Sequence, residues 1–144
     1  MSKTKYGLIL SSVCCLISAS VGTMLAVRAH LPANFAGLLN GYNVVNDFLT
    51  WRGTALSAPF SLLFIQLVLT IGVLSGGWIA RAGVVGLTIL GACYIIGQLG
   101  EPIVEQAFNA LTSNLLPALI IIMNILTAII MIVFGIIEWR SSKI

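Results

Sequence analysis

Long apolar stretches separated by short polar segments dominate the chain. Four stretches are nearly free of charged residues and occupy residues 6–29, 55–75, 82–100 and 115–139. A helix needs about 20 predominantly apolar residues to cross a bilayer. The pattern therefore predicts an all-α integral membrane protein. Residues 1–144 would form one domain, a four-transmembrane-helix bundle of up-down-up-down topology.

Two connecting segments are amphipathic. In residues 35–49 apolar side chains recur every three or four positions, with Asn43 and Asp47 on the opposite face. Residues 102–113 begin with Pro102, which suits a first helical position, and divide into faces in the same way. This spacing predicts two short amphipathic helices on the outer face of the membrane.

The basic residues predict the orientation. Positive charge concentrates in cytoplasmic segments, so both termini are expected in the cytoplasm and the short loops favour a bacterial plasma membrane. Cleavage of the first span as a signal peptide is the alternative, but its apolar run exceeds the usual 7–15 residues. One side carries Lys3, Lys5, Arg81, Arg140 and Lys143, and the other carries Arg28 and Arg52.

The composition excludes several function classes. Charged residues make up 8% of the chain and hydrophobic residues 59%, against roughly a quarter charged in soluble domains. A cytosolic enzyme, a disordered chain and a nucleic-acid-binding domain are therefore excluded. No charged residue lies centrally in any span, which disfavours proton-coupled transport. One histidine and three cysteines that all lie in apolar stretches predict no cofactor and no metal site.

Two amides lie near the middle of predicted spans, Gln66 in the second and Asn124 in the fourth. A polar side chain that faces lipid tails is costly, so both are expected to point inward. There they would hydrogen-bond a ligand or a permeating species, or join helices to one another.

Small residues in the third span predict a packing seam that ends in open space. Small residues recur every three or four positions along this seam, and the last of them, Gly97 and Gly100, lie below the expected outer helices. We expect the main cavity in the outer half of the bundle, unless neighbouring side chains fill the space that these glycines leave. Its predicted border is formed by Tyr42, Leu49, Gln98, Glu101 and Phe108.

Three functions remain open. The first is a non-enzymatic protein that binds a partner membrane protein or a lipophilic molecule, with membrane lipids or a second copy of itself as further partners. The second is an oligomeric transporter or channel subunit whose path Gln66 and Asn124 would line. The third is a membrane enzyme acting on a lipid or quinone at the outer interface. Its candidate catalytic groups would be His30 with Asp47, Glu101 or Glu105.

Overall fold

A computed structural model describes residues 1–35, 39–102 and 115–141. All of its long elements are helices, and its two strands are a short antiparallel pair. The elements in chain order are α1 (Lys3–Arg28), β1 (Asn34–Phe35), β2 (Leu39–Asn40), α2 (Val44–Leu49), α3 (Phe60–Leu74), α4 (Gly77–Leu99) and α5 (Leu115–Ser141).

Among the described helices, α1, α4 and α5 are long and apolar enough to cross a membrane. They contain 26, 23 and 27 residues, and even the shortest measures about 35 Å against a hydrocarbon core of about 30 Å. The prediction of apolar spanning helices is confirmed for these three. Helix α3 has 15 residues, because the chain of predicted span 55–75 becomes helical only at Phe60.

Neighbouring helices pack antiparallel. Gly7 near the start of α1 faces Phe134 on α5, and Gly22 near the end of α1 faces Ile120. Helix α4 packs between α5 and α3. This arrangement defines two ends of the molecule. The termini end contains the start of α1, the turn between α3 and α4, and the end of α5, whereas the hairpin end contains β1, β2, α2 and the ends of α1 and α4.

The turn between α3 and α4 depends on glycine. Helix α3 ends at Leu74 and α4 begins at Gly77, whose φ of +61° lies in the left-handed region. Residues with a Cβ rarely adopt that conformation. Gly77 thereby lets the chain reverse direction and brings α4 back against α3.

The helix predicted over residues 35–49 is wrong in its first half. Asn34–Phe35 pairs antiparallel with Leu39–Asn40, and α2 begins only at Val44. Gly37 and Gly41 oppose helix formation, and the Asn43 side chain caps the shorter helix by accepting a 3.1 Å hydrogen bond from the Asn46 N–H. The helix predicted over residues 102–113 lies outside the described residues, apart from Pro102.

The segment between α2 and α3 enters the helix packing without becoming helical. We call residues 53–59 the buried loop, because all of them except the half-buried Ala58 are buried. Leu56 is fully buried and belongs to a cluster with Ala26, Ala118 and Ile121. The Thr54 N–H donates to the Ser57 carbonyl over 2.9 Å. The loop thus carries polar backbone between α1 and α5, where it borders the site.

Candidate functional site

A cavity of about 170 Å³ lies at the hairpin end. The buried loop and the start of α3 form one side, and the last two turns of α4 form the other. Apolar side chains such as Leu62 and Leu63 line much of its wall. Its polar lining consists of Arg52, Thr54, Ser57, Tyr94, Gln98, Glu101 and Asn124.

Gln98 and Glu101 of the predicted border line this cavity together. Tyr42 and Leu49 do not line it, since they are 89% and 61% exposed at the surface. Tyr42 lies before the start of the shortened helix α2, and Leu49 is the last residue of that helix. Phe108 lies outside the described residues.

The buried loop supplies the lining residues that the sequence reading missed, including Thr54 and Ser57. Residues 55–59 have a composition that also suits a membrane helix, so their hydropathy does not distinguish them from one. Pro59 was the available signal. Proline at a helix start predicts that the helix begins there, and Pro59 is indeed the residue before α3.

Asn124 is the most constrained polar side chain of the cavity, and it is 7% exposed. Its Nδ2 group donates to the Leu56 carbonyl over 3.2 Å and approaches Gln98 Oε1 at 3.4 Å. Because both neighbours are oxygen acceptors, the nitrogen of the amide must face them. The Asn124 Oδ1 atom is buried and accepts no hydrogen bond from the described residues. A side chain that lines the cavity therefore carries an unused acceptor.

Glu101 joins the end of α4 to the hairpin. It is buried, and its Oε2 accepts the Asn34 N–H over 2.9 Å. Burial raises the pKa of this carboxyl above its ordinary value, and the hydrogen bond from Asn34 opposes the shift only in part. A protonated Glu101 would present the cavity with a hydroxyl donor in place of a negative charge.

Arg52 lies at the rim of the cavity. Its guanidinium is 3.6 Å from the carboxylate of Asp47, which is buried and also accepts the Asn43 N–H over 3.1 Å. The Gly53 N–H donates to the Asp47 carbonyl over 2.9 Å. These bonds fix the direction in which the chain leaves α2 and enters the buried loop.

Gln66 lies below the cavity and is fully buried. Its Nε2 donates to the Ser12 carbonyl and hydroxyl at 3.1 and 3.0 Å, and its Oε1 accepts the Tyr94 hydroxyl at 2.9 Å. The Ser12 hydroxyl also pairs with that of Thr70 at 2.7 Å. Both polar atoms of the Gln66 side chain therefore have partners, on α1 and α4.

A second cavity, of about 220 Å³, lies at the termini end. Both ends of the molecule therefore hold a cavity, and the expectation that the main one lies at the hairpin end stays a prediction. The small residues Gly77 and Ala80 on α4 leave this space between α4 and the ends of α1 and α5.

The alternative catalytic groups are not assembled at the first cavity. His30 is exposed in the turn after α1 and does not line it. Asp47 is held by Arg52, and Glu101 is the one of the three described groups that lines the cavity, while Glu105 lies outside the described residues. Within the described residues no group of three or more His, Cys, Asp or Glu could hold a metal ion.

No protein-family model, curated protein or solved structure matches the chain.

Proposed function

We propose that this chain is a four-span plasma-membrane protein that binds a lipophilic molecule in the cavity at the hairpin end. The observation that carries the proposal is the buried, unpartnered Oδ1 of Asn124, a residue that lines a largely apolar cavity. A buried acceptor without a partner costs about 1–3 kcal/mol. A ligand that donates a hydrogen bond there would recover that energy.

The fourth crossing in this proposal is α3. It is about 22 Å long, which is shorter than its neighbours, and it packs antiparallel to α4. Its outward face consists of exposed apolar side chains, including Phe64, Val68 and Ile71. Such a face suits lipid contact. The concentration of basic residues at the termini end supports a cytoplasmic location of that end by the positive-inside rule.

A lipophilic molecule would enter from the side of the bundle. Cys93 lines the cavity and is also exposed, so the cavity reaches the surface of α4 there. A Cβ added at Gly97 would meet no atom within 4 Å. The neighbouring Ile96 and Leu99 are exposed apolar residues. These features support an opening on the lipid side of the protein rather than into a water-filled channel.

The size of the cavity limits what it holds. Drug-sized molecules occupy pockets of about 300–1,000 Å³, whereas this one measures about 170 Å³. It would accommodate a polar headgroup and the first carbons of a chain, with the remaining chain among the lipids. The ligand class is accordingly an amphiphile whose headgroup donates a hydrogen bond, such as a long-chain alcohol.

Thermal unfolding of the purified full chain in detergent tests this function. The probes are dodecan-1-ol and dodecyl methyl ether, which have the same apolar chain but differ in the hydroxyl donor. At ten times the dissociation constant, dodecan-1-ol should stabilise the protein by about 1.4 kcal/mol and raise the melting temperature by about 3 °C. The ether should leave it nearly unchanged.

A matched pair of variants locates the effect. Gly97→Leu places a side chain in the opening of the cavity, whereas Ala92→Leu adds the same side chain to an exposed position of α4 that does not line it. The stabilisation by dodecan-1-ol should disappear in Gly97→Leu and persist in Ala92→Leu. Equal stabilisation by alcohol and ether, or an unchanged response of Gly97→Leu, would refute the proposed function.

A further inference from the structure

The cavity at the termini end differs chemically from the first one and is independent of the proposed function. It is lined by the first turn of α1, the start of α4 and the last turns of α5. Two basic side chains, Lys5 and Arg81, and one carboxylate, Glu138, contribute to its wall. The three groups sum to a formal charge of +1, which favours an anionic occupant.

The single carboxylate is turned toward hydroxyl groups. Glu138 is buried, and its Oε2 accepts the Ser2 hydroxyl over 2.6 Å and also the Thr4 hydroxyl. This holds one oxygen of Glu138 against the start of α1. Lys5 and Arg81 therefore supply more positive charge to the cavity than Glu138 cancels.

The start of α4 adds to the positive character of this cavity. Gly77, the first residue of α4, lines it, and the preceding Gly76 provides no side-chain cap. The first N–H groups of a helix have no partner within the helix, and they carry the positive end of its dipole. This contribution reinforces the two cations and has the same sign.

Aromatic residues place the cavity at the level of lipid headgroups. Trp139 lines it, and Trp78, one residue beyond Gly77, is 77% exposed. Tryptophan is enriched where the hydrocarbon core meets water. The cavity thus combines a net positive charge with the depth at which phospholipid phosphates lie.

We propose that the termini-end cavity binds the headgroup of an anionic phospholipid with hydroxyl groups, of the phosphatidylglycerol type. The phosphodiester, with one negative charge, would lie between Lys5 and Arg81. The glycerol hydroxyls would donate to the Glu138 carboxylate, which lies beside the start of α1. A choline headgroup has no donor for Glu138 and carries no net negative charge.

Quenching of Trp139 fluorescence by brominated lipids tests this site. The full chain is placed in nanodiscs as a Trp51→Phe/Trp78→Phe variant, which removes two largely exposed indoles and leaves Trp139 as reporter. Nanodiscs contain equal mole fractions of dibrominated phosphatidylglycerol or dibrominated phosphatidylcholine. Phosphatidylglycerol should bind near Trp139 more tightly by about fivefold for each cation that contacts it.

A charge-matched pair of variants separates a local site from general attraction to the bilayer. Lys5→Gln/Arg81→Gln removes the two lining cations, whereas Lys3→Gln/Arg140→Gln removes two exposed cations at the same end that do not line the cavity. The preference for phosphatidylglycerol should fall to about one in the first variant and persist in the second. Circular dichroism verifies that both variants are folded.

Three results would overturn the assignment. The first is equal quenching of Trp139 by phosphatidylglycerol and phosphatidylcholine when Lys5 and Arg81 are both present. This comparison does not depend on the cation variants. The second is equal quenching by dibrominated phosphatidylethanolamine, since the site would then not select an anion. The third is displacement of phosphatidylglycerol by millimolar glycerol phosphate, which would assign the site to a soluble phosphate compound instead of a lipid.

Discussion

The side-chain amide of Asn124 on α5 donates a 3.2 Å hydrogen bond to the backbone carbonyl of Leu56 in the buried loop. One polar side chain of a long apolar helix thus holds a piece of non-helical backbone inside the bundle. Backbone of this kind is tolerated at membrane depth only where protein buries it or where it lines a cavity. Both conditions hold here, because Leu56 is fully buried and the loop borders the cavity.

Replacing Asn124 should destabilise the buried loop. In Asn124→Ala the Leu56 carbonyl loses its side-chain donor, and the expected loss is about 1–3 kcal/mol in the free energy of unfolding, measured by denaturant titration. Asn46→Ala is the control, since Asn46 is exposed on α2. An equal loss in both variants would show that the bond to Leu56 contributes nothing.

Gly22 on α1 makes room for the same carbonyl. A Cβ at this position would lie 2.7 Å from the Leu56 oxygen, which is closer than real contacts allow. Gly22→Ala should therefore displace the loop and lower stability by about 1–3 kcal/mol. Gly72→Ala on α3 meets its neighbours at an ordinary 3.7 Å and should be neutral or stabilising. Equal effects of the two substitutions on the melting temperature would contradict this packing.

The hydrogen bond between Tyr94 and Gln66 should show energetic coupling. A double-mutant cycle with Tyr94→Phe and Gln66→Leu is expected to give about 0.6 kcal/mol, a typical value for such bonds between membrane helices. The control cycle combines Tyr94→Phe with Asn46→Ala and should give zero. Zero coupling in the first cycle as well would mean that the two side chains are not bonded in solution.

Glu101 should make stability depend on pH in the direction opposite to a salt-bridged acid. Its raised folded pKa means that the folded state binds a proton more tightly than the unfolded state does. The stabilisation that protonated Glu101 contributes is therefore fully present below its ordinary pKa of 4.5. It is lost as the pH rises through the pKa of the folded state. Melting temperatures measured from pH 4 to pH 8 should fall more in the wild type than in Glu101→Gln.

The Glu101→Gln variant also provides its own control. The glutamine amide keeps an oxygen that can accept the Asn34 N–H, so the contact with the hairpin is retained. The side chain at position 101, however, no longer ionises. A pH dependence that is identical in the variant and the wild type would assign the effect to another group.

The parts of the fold that sequence predicts are those fixed by one dominant force. Apolar runs as long as 115–139 must be helical in a bilayer, because lipid offers no partner to the backbone, and α5 covers that range. The buried loop escapes prediction because residues 55–59 are as apolar as a helix, and tertiary contacts such as Asn124 to Leu56 decide their conformation. The low helix propensity of Gly37 and Gly41 likewise opposes the helical spacing of residues 35–49.

The cavity was predictable in part for a similar reason. Gly97 and Gly100 indicate missing side chains at the end of α4, and Gln98 and Glu101 follow from that position. Arg52 and Thr54 reach the cavity only through the path of the buried loop, which no periodicity in the sequence reveals.

Photo-crosslinking with a dodecanol that carries a diazirine beside the hydroxyl group tests the ligand cavity most directly. If the ligand binds in the cavity at the hairpin end, the label should attach to the buried loop and to residues 93–101, at the C-terminal end of α4 and just beyond it. An excess of dodecan-1-ol should suppress this labelling, and an excess of dodecyl methyl ether should not. Labelling spread over the outward faces of α3 and α5, insensitive to either competitor, would contradict binding in this cavity.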